Sequence, residues 1–402
     1  MKRILTCLCL AGFLLAGFAG CSLYVKGDYK FQTKDYDGAI ADFTAYLEQK
    51  PDSFQATYML GRAYLEKGEP DKSVATLKKA LEMNPGDPEA ILFLGVAYVA
   101  KADYENAIAT FESFEDPSRP LLEKAVGQQL TLLKIDYNKK LAKEAVASEK
   151  KLATVNPSVE TYAVFYYEDK TPGRNMAAFQ KALAAMTISN LSHINSIQVV
   201  ERLRLQALME EMALGRTGIV DSKTAPRLGR LVGAEHLIVG TLSKDIRTDT
   251  ALASTTKRKV IGNAALTVKR ENFFQLPGAI AAGVAEMKGI KLTPAEQAAV
   301  GKVHTKNIDA VLYYGQALDA MDQADWKTAL DLFNKALQAD PQFELALLGR
   351  ESCPDDSSSG TGGMGQVTPE SLKNSFAAAV NAQAAADKAK QDSLSGGGGG
   401  GH

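Results

Sequence analysis

The chain has 402 residues, 46% of them hydrophobic, which is enough for two or more cored domains. Its formal charge of -1 offers none of the basic excess that nucleic acid requires. Past the first 20 residues no apolar run is long enough to cross a bilayer as a helix. The chain opens with a positive pair, Lys2 and Arg3, followed by an apolar run over 4–19. That tripartite pattern predicts a signal peptide over 1–20. The run ends in Phe18-Ala19-Gly20-Cys21-Ser22.

Two small residues directly before a cysteine resemble the lipobox of bacterial lipoproteins, with Phe18 where that family usually has Leu. The resemblance implies a diacylglycerol on the Cys21 sulfur, cleavage before it and acylation of the new amine. Two or three acyl chains, at about 0.8 kcal/mol per buried methylene, anchor a protein lastingly where one does not. The lipid bilayer is thus one expected partner, and Ser22 in place of Asp favours the outer membrane. An ordinary secretory signal with a chance cysteine is the alternative. Cleavage would remove Cys7 and Cys9 and leave 44 basic against 47 acidic residues. With Cys21 lipidated and Cys353 alone, no disulfide framework is possible within one mature chain.

A period of 34 follows. Gly27, Gly61 and Gly95 share it, as do Ala39, Ser73 and Ala107. Phe43, Leu77 and Phe111 continue the pattern, then Tyr46, Ala80 and Phe114, with Pro51 and Pro85 closing two units. Leu60-Gly61 with Tyr64 and Leu94-Gly95 with Tyr98 complete it. The segment 21–119 resembles three tetratricopeptide repeats, which implies an α-solenoid of helical hairpins that binds protein partners. The small residues allow close helix approach, the large ones fill the gaps, and Pro stops the second helix. The 120–155 stretch, with Leu130, Leu133 and Tyr137 at helical spacing, is expected to extend or cap the array.

From 156 the pattern alternates. Strands are expected at 162–168, 197–201 and 236–241, and helices at 175–191, 203–214 and 222–232, giving a sheet with helices on it. Val199-Val200-Glu201-Arg202, Leu205, Leu208, Glu211, Leu214-Gly215, Gly218, Val220-Asp221 and Ala225 are followed by Leu228-Gly229-Arg230-Leu231-Val232-Gly233-Ala234 and Ile238-Val239-Gly240. These residues resemble the curli production assembly/transport component over about 161–245. The glycines among them, Gly215, Gly218, Gly229, Gly233 and Gly240, suit turns and close packing. We read these positions as builders of the fold and not as a catalytic site.

Founding members of that family are outer-membrane lipoproteins that oligomerise into a secretion pore, so a homo-oligomer is one expectation. Pore strands need about 9–11 alternating residues. Here 243–253 and 259–269 form one candidate hairpin, with Val260, Gly262, Ala264, Leu266 and Val268 on one face. The pore-forming relatives use two hairpins, and a half-buried periplasmic hairpin explains the same residues. Related folds also occur in lipoproteins that activate cell-wall synthases.

Thr293-Pro294-Ala295-Glu296 is a capping box. Tyr314-Gly315, Ala329, Phe333, Ala336 and Pro341 form a fourth repeat-like unit within 291–349, its Gly-to-Ala spacing two residues longer. An isolated unit cannot bury its own face, so it should pack on a neighbour. The 350–402 tail is Ser/Gly-rich at both ends, with a marginally helical 371–391 between. The expected fold is therefore α+β multidomain: repeat solenoid, α/β domain over 156–290, repeat-like hairpin, disordered tail. His193, His236, His304 and His402 lack partners at metal-ligand spacing, so no metal or cofactor is expected. Gly360, Gly362 and Gly365 satisfy GxGxxG without the strand and helix that a dinucleotide needs. Glu210-Glu211 cannot face one another on a helix. No catalytic constellation emerges. The leading expectation is a non-enzymatic, periplasm-facing scaffold in envelope assembly or secretion; a pore subunit and a synthase activator are the alternatives.

Overall fold

A computed structural model describes residues 23–152, 157–173, 176–212, 225–243, 246–354 and 367–395. Cys21 and the signal segment lie outside this range, as do the family markers Leu214, Gly215, Gly218 and Asp221 and the glycines at 360, 362 and 365. The chain divides into two compact units. One combines 1–130 with 366–402, and the other spans 131–365.

The first unit begins with three helical hairpins: α1 (23–32) with α2 (Tyr36–Gln49), α3 (Phe54–Glu66) with α4 (Pro70–Met83), and α5 (Pro88–Ala100) with α6 (Tyr104–Glu112). Helix starts are set by short polar side chains. Asp35, Ser53, Asp87 and Asp103 each accept a hydrogen bond from a backbone N–H three residues on. Pro88 follows its cap at the first helical position. Within each hairpin the chain turns through one left-handed residue, and the period holds there too: Lys34 (φ 63°), Gly68 (φ 82°) and Ala102 (φ 59°).

Helix α7 (Pro120–Ala147) starts in the first unit and carries the division between the units within it. The first unit is completed by α17 (Pro369–Ser395). The Ala-rich 371–391 stretch, expected to be at most marginally helical, is thus the middle of a long docked helix. Its Leu372 (0% exposed) and Phe376 (4%) are buried, and α17 lies against α5. Packing supplies what propensity alone does not.

The second unit holds α8 (Glu149–Leu152), β1 (Ser158–Val164), β2 (Glu168–Asp169), α9 (Ala177–Leu191), β3 (Gln198–Val199), α10 (Arg202–Glu211) and α11 (Ala225–Val232). It continues with β4 (Ala234–Ser243), β5 (Arg247–Ser254), β6 (Lys259–Thr267), a 3-10 turn (Arg270–Gln275) and α12 (Leu276–Lys288). It ends in α13 (Pro294–Val300), α14 (Ile308–Asp322), α15 (Trp326–Ala339) and α16 (Glu344–Ser352). Six strands form one sheet in the order β3-β1-β4-β5-β6, with β2 beside the end of β4. The β3-β1-β4 part is parallel and β4-β5-β6 antiparallel. Ile238, Leu252 and Gly262 are cross-strand neighbours on one face, where Gly262 lies against Met287 of α12. Leu237 faces the other way, under Gly229 of α11. The central strand β4 is therefore covered on both sides, as parallel strands require, whereas β5 and β6 leave alternate residues such as Asp249 and Asn263 exposed on one face.

The expected hairpin at 243–253 and 259–269 exists as β5–β6, but β5 also pairs with β4 along its length, so the hairpin continues the main sheet. Leu252 pairs with Gly262 and Ala253 with Val260, which leaves Ile261 as a bulge. The bulge turns Val260 off the face shared by Gly262 and Ala264, and Val260 is exposed. The expected five-residue apolar face is broken at that point.

The fourth repeat-like unit is α14–α15, with its own left-handed turn at Ala324 (φ 57°). Its two extra residues lie in the first helix: α14 has 15 residues where α3 and α5 have 13. Gly315 presses on the Ala178 backbone of α9, so the unit buries its face against the sheet domain. Cys353 is buried (1% exposed) with its thiol directed at the Trp326 carbonyl.

Candidate functional site

In the array each periodic glycine opposes a large residue sixteen positions on. A Cβ on Gly27 would lie 2.9 Å from the Phe43 ring, on Gly61 2.7 Å from Leu77, and on Gly95 2.5 Å from Phe111. Ala39, Ala80 and Ala107 are fully buried, and Leu60, Leu94 and Tyr98 nearly so. Tyr64 is half-buried with Lys72 over its ring. Pro85 is exposed beyond the end of α4, where it stops the helix without packing. Helix α17 adds a side chain to this pattern, because Phe376 meets Phe111 edge-on at 5.8 Å. Polar contacts fix its register: Lys373 pairs with Glu66 at 2.9 Å, Gln383 accepts from the Leu121 N–H, and Gln129 donates to Ser375.

In the second unit the described family markers hold elements together. The Val200 N–H donates to the Tyr162 carbonyl, and Glu201 accepts from Lys134. Leu228 and Ala234 are fully buried, Gly233 (φ 74°) is the left-handed joint between α11 and β4, and Gly240 lets the Tyr167 ring approach. Arg202 has a larger part. It donates to Asp322 at 2.7 and 2.9 Å, and Lys181 donates to Asp319 at 2.6 Å and Asp322 at 2.7 Å. The Asp322 side chain is 3% exposed, so two cations converge on one buried carboxylate and tie α9 and α10 to α14. The match at Arg202 was legible in the sequence; its partner, 120 residues on in a repeat-like unit, was not.

A second polar cluster was not visible in the sequence at all. Ser158 pairs with Ala234 but Tyr162 pairs with His236, so β1 holds two extra residues there. The bulge places Glu160 in the left-handed region (φ 56°), and its N–H donates to the Glu235 carboxylate instead of the ladder. The Glu160 carboxylate accepts from the Tyr162 hydroxyl at 2.7 Å and from Lys288 at 2.9 Å. Lys288 also lies 2.9 Å from His236 Nε2. Glu160, Glu235 and His236 offer ligand atoms within 4.8 Å of one another, a set of metal-ligating types for which no metal was expected. The Lys288 ammonium already stands among them as the neutralising cation. Burial, and then Lys288, hold the His236 imidazole below the ordinary histidine range. Hydrogen bonds from Tyr162 and Lys288 outweigh burial at Glu160 and keep its carboxyl below the usual range, although burial is the largest single influence.

Residues 24–88 and 58–120 match the tetratricopeptide repeat family model. Residues 135–272 match the model of the curli production assembly/transport component CsgG. The chain carries tetratricopeptide repeats and a CsgG-type domain. Similar solved structures include a tetratricopeptide repeat protein from Parabacteroides merdae, 13% identical with a TM-score of 0.28, covering 82% of this chain and 98% of that one. Yeast Tom70 is 17% identical with a TM-score of 0.28 over 90% of this chain and 69% of that one. At such TM-scores the assignment rests on the two family models. No curated protein matches the chain. The CsgG-type match begins at residue 135, inside α7, and ends in the 3-10 turn, so it takes in the whole sheet and both polar clusters except Lys288 and the α14 aspartates.

Proposed function

We propose that this protein is a non-enzymatic lipoprotein, acylated at Cys21 and held on the periplasmic side of the outer membrane. Its repeat array binds protein partners, and its CsgG-type domain docks or oligomerises in an envelope-assembly or secretion machine related to curli transport. The observation that carries this reading is the joining, in one chain, of tetratricopeptide repeats, which are protein-interaction modules, to a CsgG-type domain. The cover that α12 gives to β6 supports a periplasmic role for the hairpin over a membrane-facing one. The test is metabolic labelling with palmitate and membrane fractionation of wild type and Cys21→Ala. Label and outer-membrane recovery should both vanish in the variant. Unchanged fractionation of Cys21→Ala overturns the anchor, and many-subunit rings of the detergent-extracted protein by microscopy would replace the scaffold with a pore.

A further inference from the structure

The first repeat differs from the others on one face. Val25, Lys26 and Tyr29 of α1 stand 34 and 68 residues before Met59, Leu60 and Ala63 of α3 and Phe93, Leu94 and Ala97 of α5. In α3 and α5 these positions are buried, or half-buried at Phe93, and α3 packs on α2 and α5 on α4 of the hairpin before it. Met59 is 4% exposed, Ala63 and Ala97 0%. In α1 no described residue covers the same face: Val25 is 64% exposed and Tyr29 69%. The opposite face of α1 is fully used, with Tyr24 against the Phe43 and Tyr46 rings and Gly27 under Phe43.

The residue types say what this end face meets. Another repeat, from a second copy, would need a small residue at 29 and an apolar one at 26. Tyr29 overfills a position held by Ala in both later repeats, and Lys26 places a cation where they have Leu. An apolar residue, an amphipathic tyrosine and a lysine on one helix face are instead the composition of a membrane interface. Val25 lies four residues from Cys21, at most roughly 14 Å of extended chain. We propose that the Val25–Lys26–Tyr29 face is a bilayer-contact surface, seated in the headgroup layer of an anionic phospholipid membrane, so that the array is held in a fixed orientation and does not swing on its tether. This rests on acylation at Cys21.

The test uses the full acylated chain in vesicles of phosphatidylethanolamine and phosphatidylglycerol with bromines high on the acyl chains. Trp326 is the one native tryptophan and is buried, so wild type sets the baseline. Tyr29→Trp should gain emission that the brominated vesicles largely quench. Ala41→Trp, on an exposed position of α2, should keep its added emission. Equal quenching of both variants, or of neither, in protein whose N-terminal mass shows the lipid overturns the contact surface and leaves the anchor standing. An N-terminal mass without lipid overturns the anchor and this surface together. A lipid-independent, concentration-dependent blue shift of Tyr29→Trp assigns the face to a second copy and overturns the proposal.

Discussion

Ala102 sits at φ 59°, in the turn that Gly68 makes one repeat earlier. A left-handed conformation costs an L-residue roughly 1–2 kcal/mol and glycine far less. Ala102→Gly should therefore stabilise the first unit by about 1 kcal/mol, read as a higher denaturant midpoint with unchanged slope. Titration adds a second expectation. His236 and His304 both have depressed pKa values in the folded chain, burial being the first cause of each. Protons then bind the unfolded chain first, and stability present above about pH 6.5 should decline as pH falls below it. Urea midpoints between pH 7.5 and 5.5 check this, and His236→Gln should flatten the slope. At this scale the periodic glycines and alanines were readable, because their spacing repeats. Glu160 was not: its role comes from a bulge, and the partners Glu235, His236 and Lys288 lie 75 or more residues away.

Among elements, one coupling is electrostatic. Asp322 ties α14 to Lys181 of α9 and Arg202 of α10. Removing this buried carboxylate leaves Arg202 without its carboxylate partner while Lys181 keeps Asp319, and breaking such a buried pair costs about 3–5 kcal/mol. Asp322→Ala should lower the stability of the second unit by that amount, seen as early loss of the buried Trp326 fluorescence, while the first unit keeps its own melting transition. The helices of the repeats were legible as elements because period, caps and stops agree. The strands were legible in kind but not in extent. The expected 197–201 strand shrinks to Gln198–Val199: the Val200 N–H makes its last bond to β1, at the Tyr162 carbonyl, and α10 starts at Arg202. The expected 162–168 strand begins earlier, at Ser158, where the exposed Val159 hid the pattern.

For the whole molecule, repeats and CsgG-type domain were both readable from their motifs, whereas the return of the chain's end to its beginning was not. The Ala-rich 371–391 run has only a narrow stripe to bury, Leu372, Phe376 and Gln383, and such a stripe means nothing until the surface it meets is known. Phe376→Asp puts a charge against Phe111, so α17 should detach. Its amides should then exchange within the dead time of a hydrogen-exchange experiment, with α9 and the sheet unchanged.

That return sets an order of events during biogenesis. The first unit takes its last helix from residues 369–395, after the entire second unit has been made. A chain that stalls anywhere between 131 and 368 leaves the Phe111 ring and the start of α7 without their cover. Completion of the array thus reports that residues 369–395 have been made, and a protease that reads exposed apolar surface can tell a chain that has reached them from one that has not.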